Sequence, residues 1–173
     1  ILHRLVGSEM CIRDRVSGDT FDGTYTGAFS DKNAGVGKTV TITSSYSGAD
    51  VSNYSVTDQS STTANITAKS LTVSGITASD KIYDGSTSAT LDPSLVVYNG
   101  LVTGDTFNGT YTGVFSNANV GTGKTVTITP SYSGADVNNY SVTDQSTKTA
   151  NITAKALTAT ASASNKTYDG GTT

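Results

Sequence analysis

From Val16 to the C-terminus the chain contains no His, Cys, Glu, Met, Arg or Trp. The absence of Cys excludes disulfides and thiol chemistry from this stretch. The absence of His and Glu removes two common general bases and metal ligands. A nucleophile and its base would have to come from Ser, Thr, Lys, Asp and Tyr alone. We therefore expect a protein that is not an enzyme.

The first fifteen residues have a different composition. They hold the only His, Glu, Met and Cys of the chain and all three of its Arg: His3, Glu9, Met10, Cys11, Arg4, Arg13 and Arg15. Residues 6–14 resemble the translation of a transposase-adapter end used to prepare sequencing libraries. We interpret residues 1–15 as such an artefact; the alternative is a genuine short N-terminal arm. The stretch is a poor match to a signal peptide, and we set it aside before reasoning about the fold.

Charge and hydrophobicity argue against two classes of partner. After residue 15 there are 8 Lys against 12 Asp, a net charge of −4. Surfaces that bind nucleic acid are basic, so an acidic chain without Arg is a poor candidate. No apolar run approaches the length that spans a bilayer. We expect no nucleic-acid partner and no membrane insertion in this fragment.

The chain is a tandem array. Residues 18–69 align with residues 104–155 at an offset of 86, and 42 of the 52 aligned positions are identical. A period of this length fits a string of small domains better than the turns of a solenoid. We divide the chain into the C-terminal part of one repeat (16–69), a complete repeat (70–155) and the start of a further repeat (156–173).

The residues that are abundant favour β-structure. Thr, Val, Ile and Tyr suit a pleated, half-buried surface, and Gly, Asn and Asp suit turns. Low hydrophobicity would also fit disorder, but apolar residues recur regularly: Phe107, Tyr111 and Phe115 share one strand face, and Val126 alternates with Ile128. Such alternation, with frequent turns, is typical of a β-sandwich. We predict an all-β fold of tandem Ig-like β-sandwich repeats; the alternative is a β-grasp-like small β domain.

One short motif occurs twice, as KIYDGST from Lys81 and as KTYDGGT from Lys166. Read as a turn, Asp84 accepts a hydrogen bond from the backbone two residues on and Gly85 takes a positive φ. Tyr83 then packs its ring against the core. Read as a site, Asp84 binds a ligand or Ca²⁺, but the closely spaced oxygen ligands of tight Ca²⁺ loops are missing. We predict a structural turn, with no metal and no cofactor, formed by Lys81, Tyr83, Asp84 and Gly85 and repeated by Tyr168, Asp169 and Gly170.

A second candidate, Gly121–Thr125, resembles the end of a phosphate-binding loop. The full pattern needs a Gly five positions before Gly123, where this chain has Ala118. It also needs a helix to follow, and a strand is predicted there instead. A hairpin turn is therefore the better interpretation, and we predict no nucleotide site.

The complete repeat resembles the YDG-type repeat of bacterial filamentous-haemagglutinin-like surface proteins. The residues that carry the resemblance are Asp80–Thr87, Gly100–Asp105, Phe115, Asn119–Lys124, Tyr132–Asp136, Asn139–Tyr140 and Ile152–Lys155. The chain departs from the pattern at Ser86, where Thr is usual, and at Gly171. The resemblance implies a large secreted or surface-anchored adhesin in which the repeats form the stalk, and it transfers no catalytic residue.

We therefore expect a structural stalk or spacer repeat, secreted or at the bacterial cell surface. Its expected partners are the neighbouring repeats of the same chain, because residues 152–157 leave little slack between one repeat and the next. The alternative is an adhesive module that binds a host or matrix glycan or protein through exposed Tyr and Asn on loops.

Overall fold

A computed structural model describes residues 15–172, and within this range the structure is all-β. Helical structure in these residues is limited to two single-turn 3₁₀ helices, Val51–Asn53 and Val137–Asn139. The prediction of an all-β fold is confirmed, and tandem Ig-like sandwiches stay a prediction. The artefact assigned to residues 1–15 falls outside the described residues except for Arg15. The strands are β1 Asp22–Phe29, β2 Gly35–Ser47, β3 Ser61–Ile66, β4 Lys69–Ser74, β5 Thr77–Ala78, β6 Lys81–Ile82, β7 Ser88–Ala89, β8 Leu91–Asp92, β9 Val97–Asn99, β10 Asn108–Phe115, β11 Gly121–Ser133, β12 Tyr140–Thr143 and β13 Thr147–Thr153.

The strands of residues 15–172 form four sheets. The first is antiparallel, with strand order β1-β2-β3. A five-stranded sheet has the order β6-β13-β11-β10-β7, a three-stranded sheet the order β12-β4-β9, and β5 pairs with β8. β12 runs parallel to β4, and β13 runs parallel to β6. Parallel neighbours need long connections, so these pairings join residues that lie far apart in the sequence.

The predicted alternation of β10 and β11 is confirmed. Phe107 and Phe115 are 6% and 2% exposed, and Tyr111 between them is half-buried. On β11, Val126 and Ile128 are buried, while Thr125, Thr127 and Thr129 are exposed. A period of two places every second side chain of a strand on the same face, which is why the apolar positions face inward together.

Two compact units divide the chain, and each has its own core. Unit 1 comprises the residues up to Ser74 together with Val97–Gly109 and Ser131–Asp144. A cluster of aromatic rings fills one of its cores, where Phe107 and Tyr140 are buried with Leu71. The Phe107 ring centroid lies 5.0 to 5.7 Å from those of Tyr98, Tyr132 and Tyr140. Tilted and edge-on contacts at such distances stabilise aromatic pairs beyond the area they bury.

Unit 2 comprises Gly75–Val96, Thr110–Pro130 and the residues from Gln145 onward. Its core contains the buried Phe115, Val126, Ala150 and Ile152. Three partly buried residues from short strands pack against this core: Ala78, Ala89 and Leu91. The boundaries at 69/70 and 155/156, which were placed by the sequence period, stay predictions.

Candidate functional site: the Lys-x-Tyr-Asp-Gly turn

The turn begins on the short strand β6, which pairs with the last strand of the complete repeat. Lys81 lies opposite Ile152 in the register, and Ile82 lies opposite Thr153. The Tyr83 N–H donates to the Thr153 carbonyl at 2.8 Å and extends the pairing by one residue. The turn is therefore held at the edge of the five-stranded sheet of unit 2.

Asp84 and Gly85 form the turn in the way the sequence predicts. The Asp84 Oδ1 atom accepts hydrogen bonds from the Ser86 N–H at 2.8 Å and from the Ser86 hydroxyl at 3.0 Å. Gly85 has a φ of +81°, a region in which side chains are strained. Both geometric predictions are confirmed.

Lys81 closes the turn from the other side. Its Nζ lies 2.8 Å from Asp84 Oδ1 and donates to the carbonyl oxygens of Ser86 at 2.9 Å and Ser88 at 3.1 Å. It also lies 5.7 Å from the centroid of the Phe115 ring, within the range of a cation–π contact. The Lys81 ammonium, followed by the N–H and hydroxyl of Ser86, lowers the pKa of Asp84 from 3.8 to about 2. The Asp84 carboxylate thus binds donors of its own turn.

The prediction for the ring of Tyr83 is wrong. Tyr83 was expected to pack against the core, but it is 41% exposed. The residue that covers the core ring is Lys81, whose side chain is only 17% exposed. A long lysine side chain can lay its methylene groups along apolar surface while its ammonium finds acceptors. Tyr83 follows the end of the strand, and its ring is left partly in solvent.

The second copy of the motif repeats the backbone and lysine contacts of the first. The Asp169 Oδ1 atom accepts from the Gly171 N–H at 2.9 Å and lies 2.7 Å from Lys166 Nζ. Gly170 has a φ of +76°, and Tyr168 is 93% exposed. Since residues 156–172 form no strand in the described structure, the turn takes this shape without a sheet edge beneath it.

The sequence assigned no contact to Asp80, next to the turn, or to Gln145, elsewhere in unit 2. The Asp80 carboxylate accepts from the Asn151 N–H at 2.6 Å and from Asn151 Nδ2 at 2.9 Å. These two bonds lower the pKa of Asp80. The Gln145 amide bonds both backbone groups of Ile76, accepting from its N–H at 3.1 Å and donating to its carbonyl at 2.6 Å. The sequence carries no local signal for either contact, because 71 and 69 residues separate the partners.

The remaining candidate was interpreted as a hairpin turn, and this interpretation is wrong because the segment is part of a strand. Gly121–Thr125 forms the first residues of β11, and its pairing with β13 is irregular between Gly121 and Lys124. The Gly123 N–H donates to Asn151 Oδ1 at 2.8 Å, and Lys124 Nζ donates to Asn117 Oδ1. Gly123 therefore bonds to the neighbouring strand β13, and Lys124 bonds to the turn that precedes β11.

Other features of the described residues bear on partners. Across residues 15–172, no three His, Cys, Asp or Glu side chains gather into a group that could hold a metal ion. In that same part of the chain, no helix has the length and apolar character needed to cross a bilayer.

The fold and the turn define the class as an all-β repeat protein with a Lys-x-Tyr-Asp-Gly turn. A family model of the YDG domain matches residues 6–64 and 67–149. These matches cover most of the chain, which therefore belongs to the YDG domain family. Comparison with curated proteins and with solved structures gave no match.

Proposed function

We propose that this chain is a piece of the stalk of a large bacterial surface adhesin, either secreted or held at the cell surface. Its YDG repeats act as non-catalytic spacers that hold a binding region away from the cell. The resemblance of the complete repeat to filamentous-haemagglutinin-like proteins supports this context. The lack of His, Cys and Glu after residue 15 supports a role without catalysis.

The observation that carries the proposal is the short connection between the first repeat segment and the complete repeat. β3 ends at Ile66 and β4 begins at Lys69, so only Thr67 and Ala68 lie between them. Two residues reach about 7 Å when extended. Flexible linkers need a longer stretch rich in Gly and Ser. A spacer that keeps its length under load benefits from such a direct connection.

We further propose that each repeat is a small Ig-like β-sandwich. The half-buried pattern of β10 and β11, with alternate side chains inward, supports one packed face and one solvated face. An experimental structure of a repeat between two neighbours tests this proposal. Two sheets packed face to face about 10 Å apart are expected, whereas a single sheet covered by other structure would favour the β-grasp-like alternative.

Small-angle X-ray scattering of a three-repeat chain tests the spacer function. We expect the maximum dimension to increase in equal steps as repeats are added, as for a stiff rod. The matched control carries about 15 Gly and Ser residues between Thr67 and Ala68, which should make that joint flexible. If the unmodified chain scatters like the control, as freely jointed beads, the spacer proposal fails.

The rival function is a glycan- or protein-binding module. The observation that favours it is the exposure of Tyr83, at 41%, next to Ile82, at 63%, on the edge of the sheet. Partly exposed aromatic rings are common in binding surfaces. Binding of the chain to a glycan array, with loss of binding in Tyr83→Ala, would support this rival. No binding by the unmodified chain would count against its glycan form.

A further inference from the structure

Within unit 1, the turn that joins β1 to β2 reaches residues of the complete repeat. Lys32 is in this turn, and its Nζ lies 3.2 Å from Asp105 Oδ1 and 3.2 Å from Asp136 Oδ1. One lysine of the first repeat segment therefore bridges two carboxylates of the next repeat.

The two residues after Lys32 add direct hydrogen bonds to the same region. The Ala34 N–H donates to Asn139 Oδ1 at 2.9 Å, and Asn139 Nδ2 donates to Asn33 Oδ1 at 3.3 Å. These contacts join residues that are 105 and 106 positions apart. Three consecutive residues of the turn thus contact three side chains of the complete repeat. Several contacts at fixed positions hold the turn in one orientation on that repeat.

The receiving carboxylates are held by their own repeat. Asp136 Oδ2 accepts from the Thr106 N–H at 2.9 Å, and Asp105 Oδ2 accepts from the Tyr140 hydroxyl at 2.6 Å. The side chains of Asp105 and Asp136 are 13% and 11% exposed. One oxygen of each carboxylate is therefore bound internally, and the other oxygen contacts Lys32. We call Asp105, Asp136 and Asn139 the socket.

In the first repeat segment, the carboxylates equivalent to those of the socket make the same internal bonds. Asp50 Oδ2 accepts from the Thr20 N–H at 2.8 Å, and Asp19 Oδ2 accepts from the Tyr54 hydroxyl at 2.6 Å. These are the bonds of Asp136 and Asp105 at an offset of 86. Asn53, which corresponds to Asn139, is exposed, whereas Asn139 is half-buried. The contact with the turn therefore covers a region whose shape is set by the repeat itself.

We propose that residues 32–34 and the socket form a head-to-tail joint between successive repeats, in which the lysine of one repeat is the ligand of the next. The residue at position 32 of each copy then sets the strength of the joint. The complete repeat carries Ala118 at that position, so its own turn lacks the ammonium group. The joints of such an array differ in strength although the repeats are nearly identical. This inference goes beyond the spacer function and does not depend on it.

The electrostatics of the joint make it sensitive to salt. The Lys32 side chain is 72% exposed, so its attraction to the carboxylates is screened by ions. Hydrogen bonding to Asp136 and Asp105 raises the pKa of Lys32, and the Thr106 N–H and Lys32 lower the pKa of Asp136. Such a contact is weak between separate molecules. It is favoured here because the two parts are in one chain, which gives them a high effective concentration.

Hydrogen exchange of the Ala34 amide, followed by NMR in the whole chain, tests the joint. Lys32→Ala should speed exchange roughly two- to five-fold, as expected when an exposed ion pair is lost. Asn139→Ala should also speed it, because the acceptor of this N–H is removed. Lys32→Arg, which keeps the charge, should retain most of the protection. Lys148→Ala removes an exposed lysine elsewhere and should leave the exchange rate of the Ala34 amide unchanged. The amide of Val120, the residue equivalent to Ala34 in the complete repeat, should exchange at the same rate in all variants.

Added salt provides a second readout of the same joint. Protection of the Ala34 amide should fall with rising salt in the unmodified chain and in Lys32→Arg, but not in Lys32→Ala. Unchanged exchange in both Lys32→Ala and Asn139→Ala would overturn the proposal. If only Asn139→Ala alters exchange, the lysine is not the ligand and the ionic joint is wrong. Scattering of longer chains plays no part in this result, so the joint and the spacer function fail or stand separately.

Discussion

Two sheets of this protein are built from nearly the same sequence but bury their side chains differently. In the complete repeat, Phe115 and Ile152 are 2% and 1% exposed, and Ala150 is buried. In the first repeat segment, Phe29 and Ile66 are only half-buried at the same positions, and Ala64 is exposed. The register of one strand pair is shared, since β2–β3 and β11–β13 pair equivalent residues and have the same irregularity, near Lys38 and near Lys124. Nearly identical strands therefore do not guarantee an identical core.

The difference comes from residues outside the repeated 52. In unit 2, β6 pairs with β13, β7 pairs with β10, and Ala78, Ala89 and Leu91 pack against the core. The strands β6 and β7 and the residues Ala78, Ala89 and Leu91 all come from residues 75–96. In the first repeat segment, β1, β2 and β3 form a sheet that no further strand of residues 15–172 joins. The repeated segment thus determines which side chains face inward, and the segment before it determines how far they are buried.

The largest effect on stability is expected from replacing the equivalent phenylalanines of the two sheets, Phe29 and Phe115. Phe115→Ala should lower the free energy of unfolding by about 3–5 kcal/mol, because it leaves a cavity in a closed core. Phe29→Ala should cost about 1–2 kcal/mol, because part of the Phe29 side chain already contacts water. Urea unfolding, combined with hydrogen exchange to assign the affected strands, measures both values. Equal costs would mean that the two sheets are covered alike in solution, contrary to their burial.

A glycine pair tests the features that the two copies share. Gly134 has a φ of +131°, and an added Cβ would lie 2.2 Å from the Thr106 carbonyl oxygen. Gly48 has a φ of +129° and the same 2.2 Å approach to Thr20. Either glycine replaced by Ala should cost about 2 kcal/mol or more, from backbone strain and the clash. Thermal unfolding of both variants checks this expectation. A clearly cheaper Gly48→Ala would show that the first segment relaxes where the complete repeat does not.

A glutamine pair tests the contact of Gln145 with the backbone of Ile76. Gln145→Ala should cost about 1–3 kcal/mol, because two backbone groups of Ile76 lose their partner in a partly buried site. Gln59, at the same position of the first segment, donates to the Ser61 carbonyl in an exposed position. Gln59→Ala should therefore change stability by no more than about 0.5 kcal/mol. Denaturation by urea compares the two variants, and equal costs would contradict the role of Gln145.

The smallest expected effect distinguishes the two copies of the Tyr-Asp-Gly turn. Asp84 accepts from the Ser86 hydroxyl in addition to a backbone N–H, whereas Gly171 offers Asp169 only the N–H. Ser86→Gly should therefore raise the pKa of Asp84 from about 2, while the Lys81 ammonium still keeps it below its ordinary value. NMR titration of the carboxyl carbons measures the shift. An unchanged pKa would show that the hydroxyl does not bind Asp84 in solution.

The same lowered pKa gives the turn a predictable dependence on pH. Because the pKa of Asp84 is lower in the folded chain than in the unfolded chain, the turn's contribution to stability is fully present above about pH 4. It is lost as the pH falls through about 2, the folded pKa of Asp84. Unfolding curves of Asp84→Asn and of the unmodified chain should therefore approach one another in strong acid. A constant difference between them down to pH 2 would contradict this linkage.

Local features of this protein followed from the sequence alone. The bond from Asp84 to the backbone two residues on and the positive φ of Gly85 depend on neighbouring residues only, and the isolated copy at Asp169 and Gly170 shows them too. The inward faces of β10 and β11 likewise follow from a period of two. The tandem repeat and the resemblance to YDG-type repeats could also be recognised from the sequence, because both depend only on the order of the residues.

The tertiary structure decided which side chains cover the core and which remain in solvent. Lys81 covers Phe115 while Tyr83 is exposed, although a tyrosine is the more apolar residue. Gln145 caps Ile76, and Lys32 bridges Asp105 and Asp136, across 69, 73 and 104 positions of sequence. Such contacts join segments that are distant in the sequence, and they leave no periodic signal in it. Burial is a property of the neighbours that a fold brings together, so two nearly identical segments acquire different cores.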